Sequence, residues 1–201
     1  GYDATQIKGY VFNPDSAKYY LNKAGFDNGK GFPNITLDLN SGGERNTNVA
    51  LEVTKQLKEV LNVNVEINVL PMAQHIDNMQ HAKTSFFRIA WGADVPNAEN
   101  FVWMMYGKNV PETKEETSYP NLMRYQNEEF DRLYEAGLNS LTLEEANENF
   151  MKAEQLAMNN APFIVLWYDE GFRLLQSYVK DCPNNPMQFR DLSTVYIQKA
   201  E

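Results

Sequence analysis

The feature that most constrains this chain is an alternation of hydrophobic periods between residues 35 and 91. "ITLDL" places Ile35, Leu37 and Leu39 on one face of a period-two stretch, as a half-buried strand does. Ala50, Val53, Leu57, Val60 and Leu61 then recur at helical spacing. "VNVEINV" returns to period two through Val63, Val65, Ile67 and Val69, and Pro71 stops it. "MAQHIDNMQHAK" reads as a short helix and "FFRIAW" as another strand. Strand, helix, strand, helix, strand favours parallel neighbours joined by helical crossovers, hence an α/β layer. In open α/β sheets ligands sit beyond the carboxyl ends of strands. Asp94 lies three residues past the end of "FFRIAW", and on topology alone it is the first candidate for ligand contact.

The flanks carry helix punctuation. In "FNPDSAKYYLNKAGF", Asn13 suits an N-cap, Pro14 the first helical position and Gly25 the residue past the end, with Ala17, Tyr20, Leu21 and Ala24 on one face. "NAENFVWMMYG" predicts a short helix capped by Asn97, and "GKNVPETKEETSYPN" a long polar loop. "NEEFDRLYEAG" predicts a helix from the Asn127 cap to a stop at Gly137. Thr142 and Glu145 form a capping-box pattern ahead of the stripe Leu143, Ala146, Phe150, Ala153 and Ala157. Pro162 ends that helix, "FIVLWY" reads as a fully buried strand, and the remainder as strand-like pieces split by "DCPNNP".

Composition excludes several functions. The 27 acidic residues outnumber the 18 basic ones, giving a net charge of −9 and a surface that repels phosphate backbones, so nucleic acid is not an expected partner. The single cysteine, Cys182, rules out an internal disulfide and any multi-cysteine metal site. No apolar run reaches the length of a membrane span; the longest lies around Phe163–Tyr168. The chain opens at Gly1 without a signal peptide and reads as mature or excised, so targeting residues do not place it.

No catalytic chemistry emerges. His75 and His81 are six apart, off the three- or four-residue spacing of a helical zinc pair, and read as surface histidines of an amphipathic helix. There is no G-x-S-x-G, and Cys182 sits in a Pro/Asn-rich turn as an incidental thiol. "NGKGFP" lacks P-loop spacing and follows no strand. The acidic pairs Glu115/Glu116, Glu128/Glu129 and Glu144/Glu145 fall in loops or first helical turns, where they favour solubility and the helix dipole. Taken singly, Trp91 reads as core and Asp94 as a turn former.

Taken together, longer blocks change that reading. "FRIAWGADVPNAENF", "YPNLMRYQNEEFDRLYEAG" and "AEQLAMNNAPFIVLWY", preceded by "NPDSAKYYLNKAGF" and "GKGFPNITL", resemble family 5 extracytoplasmic solute-binding proteins, the oligopeptide and dipeptide receptors of ABC importers. The agreement runs in order over residues 8–170. It implies an α/β, periplasmic-binding-protein-like (type II) lobe with a mixed sheet flanked by helices. The family has two lobes around a cleft. The resemblance implies that residues 1–162 are the carboxyl-terminal ligand-binding lobe. Residues 163–201 are then the hinge and return segment that joins a first lobe outside this sequence. That segment is expected to be less well ordered here, or to pair with a neighbour through an exposed edge.

The resemblance also implies a function. Such a protein is no enzyme; it captures peptides between its lobes and delivers them to an ABC permease in the membrane. It would act in the periplasm or at the cell surface, with the full-length protein lipid-anchored. No cofactor and no metal is implied. Asp94 matches the aspartate that holds a peptide's α-ammonium, and Trp91 matches the family tryptophan, a flat apolar surface for the ligand. Arg88 matches a position where some members meet peptide carboxylates. Its strand parity opposes that of Trp91, so both face one cleft only if the strand end bends. Val95 departs from the aromatic usual after the aspartate, which leaves fine ligand preference open. Alternative readings are a non-transport peptide-sensing or interaction module on the same fold, or a receptor for a metal chelate or sugar.

Overall fold

The structure, a computed structural model, describes residues 1–185, 187 and 191–198. Its first half is built around strand β1 (Ile35–Asn40), paired in parallel with β2 (Val65–Leu70) from Ile35 opposite Val65 to Asn40 opposite Leu70. Helix α2 (Glu44–Leu61) makes the crossover between them. Ala50 is buried, and Val53, Leu57, Val60 and Leu61 are half-buried, as the periodicity predicts. Asn62, in the left-handed conformation, ends the helix. Helix α3 (Met72–Gln80) follows β2. The expected strand "FFRIAW" is reduced to one parallel bridge, Phe87 opposite Asp38. Asp38 N–H donates to the Phe86 carbonyl (3.0 Å), and Arg88 N–H to the Asp38 carbonyl (2.9 Å). The spatial order is therefore β2, β1, Phe87 segment, with β1 in the middle.

That central place explains a departure from simple alternation. Leu37, Asp38, Leu39 and Asn40 are all buried, although only the leucines fall on the apolar face. Asp38 is tolerated because Asn68 Nδ2 donates to its Oδ1 (2.9 Å) and Asn78 Nδ2 to its Oδ2 (3.4 Å). His75 is not a surface residue: it is 1% exposed, and its Nε2 donates to the Arg88 carbonyl at 2.8 Å. Helix α3 covers the second face of β1 here, so its inward imidazole serves the backbone of the neighbouring segment.

The rest of the lobe is helical. Helix α1 (Pro14–Lys23) begins on the expected Asn13 cap and has no buried residue. The short α4 (Glu99–Val102) continues into a 3-10 turn at Trp103–Met105. Helices α5 (Glu128–Leu138) and α6 (Leu143–Asn160) pack face to face. Val102, Met105, Phe130, Tyr134, Phe150, Ala153 and Ala157 form the larger apolar core. Asn127 and Thr142 cap the two helices as expected, accepting from Phe130 N (3.0 Å) and Glu145 N (3.2 Å). Gly137 does not stop α5; it lies inside it and is buried. A β-carbon there would fall 2.4 Å from Phe150 Cε1, so the glycine exists to let the α6 ring approach.

"FIVLWY" is not a buried strand. Ile164 is 72% and Tyr168 84% exposed, and no described strand lies beside them. Periodicity cannot separate a buried strand from an apolar segment whose neighbour lies elsewhere. Past it, β3 (Val179–Lys180) and β4 (Tyr196–Ile197) form a short antiparallel pair. Within the expected return segment, Pro186, 188–190 and 199–201 lie outside the described residues.

Candidate functional site

The crossover from β1 runs to β2 on one side, while the Phe87 segment adds on the other. The point where strand order reverses is thus the gap between β1 and the Phe87 segment, and ligands of open α/β sheets bind at the carboxyl edge of such a gap. Asn40 and Arg88 bridge it: Arg88 Nη1 donates to Asn40 Oδ1 at 3.1 Å. Helix α2 starts just past β1, with Gly43 at its N-cap making no side-chain cap bond. A depression of ≈ 500 Å³ opens there, lined by Ser41, Gly42, Gly43, Thr47 and Val69 among others. Exposed Val69 lines this depression, which is why the last inward position expected for β2 is not in the core.

Two guanidinium groups share this edge. The Arg45 guanidinium carbon lies 4.8 Å and that of Arg88 5.9 Å from the centre of the Trp167 ring, both within cation–π range. Arg45 pairs with Asp169 at 2.6 Å, and Trp167 Nε1 also donates to Asp169 (3.0 Å). Arg88 has no carboxylate within ion-pair distance among the described residues. Partial burial lowers its pKa, Asp169 opposes that shift and Arg45 adds to it; an arginine stays protonated regardless.

Past Arg88 the chain runs without regular structure, so strand parity no longer applies and Trp91 is free of the constraint that opposed it to Arg88. The Trp91 ring is half-buried and meets Trp103 edge-on (6.4 Å, 72°) and Tyr119 at 6.3 Å, and those two rings meet each other at 6.2 Å. Trp91 Nε1 donates to Asn100 Oδ1 at 3.1 Å, and the Asp94 backbone N–H donates to the same oxygen at 3.0 Å. The Asp94 side chain is exposed, and among the described residues its carboxylate has no hydrogen-bond or ion-pair partner. The structure therefore joins Trp91 and Asp94 through Asn100, and places Arg88 in a separate cluster with Asn40, Arg45 and Trp167.

Several residues of this arrangement escaped the sequence. Tyr119 hides in a polar loop, and Asn100 looked like an ordinary helix residue. The one available signal was an amide-bearing residue six positions after Asp94, in a helix too short to need a polar interior. The second sequence block turns out to be scaffold. Asn121 is fully buried, its Nδ2 donating to the carbonyls of Tyr106 (3.1 Å) and Tyr125 (2.7 Å). Asp131 accepts from Gly107 N at 2.7 Å; burial raises its pKa most, and that backbone bond pulls it down. Tyr134 donates to Glu99 Oε1 at 2.6 Å, which ties α4 to α5; burial first and Glu99 second push its pKa far above the ordinary phenol value.

An α/β lobe whose carboxyl strand edge opens onto exposed aromatic and charged groups is a lobe of the periplasmic-binding-protein type, and comparison with known proteins agrees. The family model for bacterial extracellular solute-binding proteins, family 5 (Middle) matches residues 1–112. The chain belongs to this family. It is 24% identical over 184 residues, 91% of its length, to the periplasmic murein peptide-binding protein MppA of Escherichia coli, and 21% identical to heme-binding protein A of Haemophilus influenzae. It covers 32% of each, so it spans about a third of the length of these curated relatives. Among solved structures, E. coli MppA superposes with a TM-score of 0.76 at 23% identity, over 93% of this chain and 35% of that one. Haemophilus influenzae OppA, solved with the peptide RPPGFSPFR, gives 0.72 at 20% identity, over 92% of this chain and 35% of that one.

Proposed function

We propose that this chain is the ligand-binding lobe, residues 1–162, and return segment, residues 163–201, of a receptor that captures peptides for an ABC importer. Asp94 holds the ligand's α-ammonium. The observation that carries this reading is the Asp94 carboxylate, exposed and, among the described residues, without a partner, in the loop that Asn100 ties to the Trp91 indole. A carboxylate meeting an ammonium in a closed cleft forms a charge-assisted hydrogen bond about twice as strong as a neutral one. Trp91, with Trp103 and Tyr119 behind it, presents a flat apolar wall to the first residue of the ligand. Arg88, a cation with no carboxylate in ion-pair range among the described residues, suits a ligand carboxylate at the other end. Binding brings two lobes together by hinge motion, and a membrane permease reads the closed form. No bond is broken. The receptor works outside the cytoplasm, held to the membrane by a lipid.

Calorimetry on the full-length protein tests the anchor. Asp94→Ala is expected to weaken peptide binding by ~2–5 kcal/mol, the usual cost of removing one partner of a desolvated charge pair. Equal affinity of the two proteins would sink the amine anchor. The likeness to a heme-binding protein keeps a non-peptide solute as the second reading. Mass spectrometry of ligands co-purifying with the full-length protein separates the two: peptides support the first reading, and a heme, metal chelate or sugar replaces it.

A further inference from the structure

We propose that Asn100 is a positioning residue of the ligand anchor, holding the Trp91 ring and the Asp94 backbone as one unit through a single amide oxygen. The proposal rests on the reading of Asp94 and Trp91 as ligand contacts. Its basis is geometric. Residues 92–98 have no helix or strand to hold them, so something else must fix Asp94 relative to Trp91. Asn100 Oδ1 accepts from the Trp91 indole (3.1 Å) and from Asp94 N–H (3.0 Å), nine and six residues upstream. Both neighbours are donors, which fixes which end of the amide faces them. Asn100 is 6% exposed, so these bonds are shielded from competing water, and losing the oxygen would leave the Asp94 N–H and the indole N–H short of an acceptor.

The backbone that carries this amide is itself anchored. Asn100 N–H donates to the Asn97 carbonyl at 3.2 Å, and Asn97 Oδ1 caps Glu99 N–H at 3.0 Å. Glu99 next door is bonded to Tyr134 of α5, and Val102 is 1% exposed in the main core. The chain of contacts thus runs from the helical core through α4 to the anchor loop. A side chain prevented from wandering loses less entropy when a ligand arrives, so this clamp should raise affinity without touching the ligand.

The test uses the full-length protein and two independent readouts. The first is the Trp91 indole N–H resonance without ligand, assigned by its disappearance in Trp91→Phe. Asn100→Leu, similar in size but with no acceptor, is expected to shift it and speed its solvent exchange, whereas Asn100→Asp, which keeps an oxygen, leaves it near its original position. The second readout is affinity for a random tripeptide library, quantified by mass spectrometry of the bound fraction. Asn100→Leu is expected to weaken binding about tenfold. Because Asn100 acts through Trp91 and Asp94, adding Trp91→Phe to it should cost less than the two single effects combined. If Asn100→Leu does not fold, Asn100→Ala, which also lacks the acceptor, replaces it in both readouts: a shifted, faster-exchanging indole signal with weakened binding supports the clamp. An indole resonance indifferent to Asn100→Leu, or full affinity in that variant while Asp94→Ala abolishes binding, overturns it. Loss of the indole signature in Asn100→Leu with no effect of Asp94→Ala on any peptide supports the hold of Asn100 on Trp91 and refutes the Asp94 amine anchor instead.

Discussion

At the scale of single residues, the chain separates side chains that meet solvent from side chains that hold others in place, and the family-like motifs contain both. Asp94 is exposed and Trp91 half-buried, while Asn121, Asn127 and Asp131 spend their polar atoms on backbone groups. Both kinds look alike as letters. Gly137 shows the same point for packing. As a sequence feature it reads as a helix stop, and in the fold it is the hole that accepts Phe150. Gly137→Ala is therefore expected to destabilise the protein by about 1–3 kcal/mol through overpacking, despite alanine's better helix propensity. Urea denaturation decides this, and a more stable variant would mean that α5 and α6 part easily.

At the scale of elements, caps and contacts fix where helices begin and where the late segment rests. Asn127→Ala and Thr142→Ala each remove the acceptor for one orphan N–H, and each is expected to cost about 0.5–2 kcal/mol in the same assay. The segment after Pro162 touches the lobe through Phe163 against the main core and through Trp167 and Asp169 against Arg45 and Arg88. Asp169 has a lowered pKa, first because the Arg45 guanidinium bonds its charged form and second because the Trp167 indole does. With the folded value below the unfolded one, this contact contributes above the ordinary carboxylate pKa of about 3.9 and is lost as pH falls through Asp169's lower value. The Trp167 indole resonance should therefore hold constant down to that range and move only below it. In Asp169→Asn that acid step should vanish; its persistence would assign the step to another group.

At the scale of the whole molecule, the exposed apolar side chains of Ile164, Leu166, Tyr168, Phe172 and Leu174 are the largest departure from a self-sufficient domain. They follow the last helix of the lobe, where the proposed function needs a path to a second lobe. If the cleft is shared between two lobes, this chain alone should bind peptides weakly or not at all, while the full-length protein binds them. Parallel titrations of a random tripeptide library measure the difference, and equal affinities would show that one lobe suffices.

What the sequence determined by itself is whatever depends on local spacing. The α/β order, the helix caps at Asn13, Asn127 and Thr142 and the apolar stripe of α2 all follow from residues within a few positions of one another. Tertiary structure alone decided what depends on distant neighbours. Asp38 and His75 are buried because the Phe87 segment adds beside β1 and α3 packs against it. Residues 163–168 fail to form a strand because a strand needs a partner, and a run of apolar letters carries no information about whether one is present. Asn100 joins Trp91 to Asp94 because a loop brought two donors to one oxygen, and no periodicity encodes the meeting of side chains across a loop.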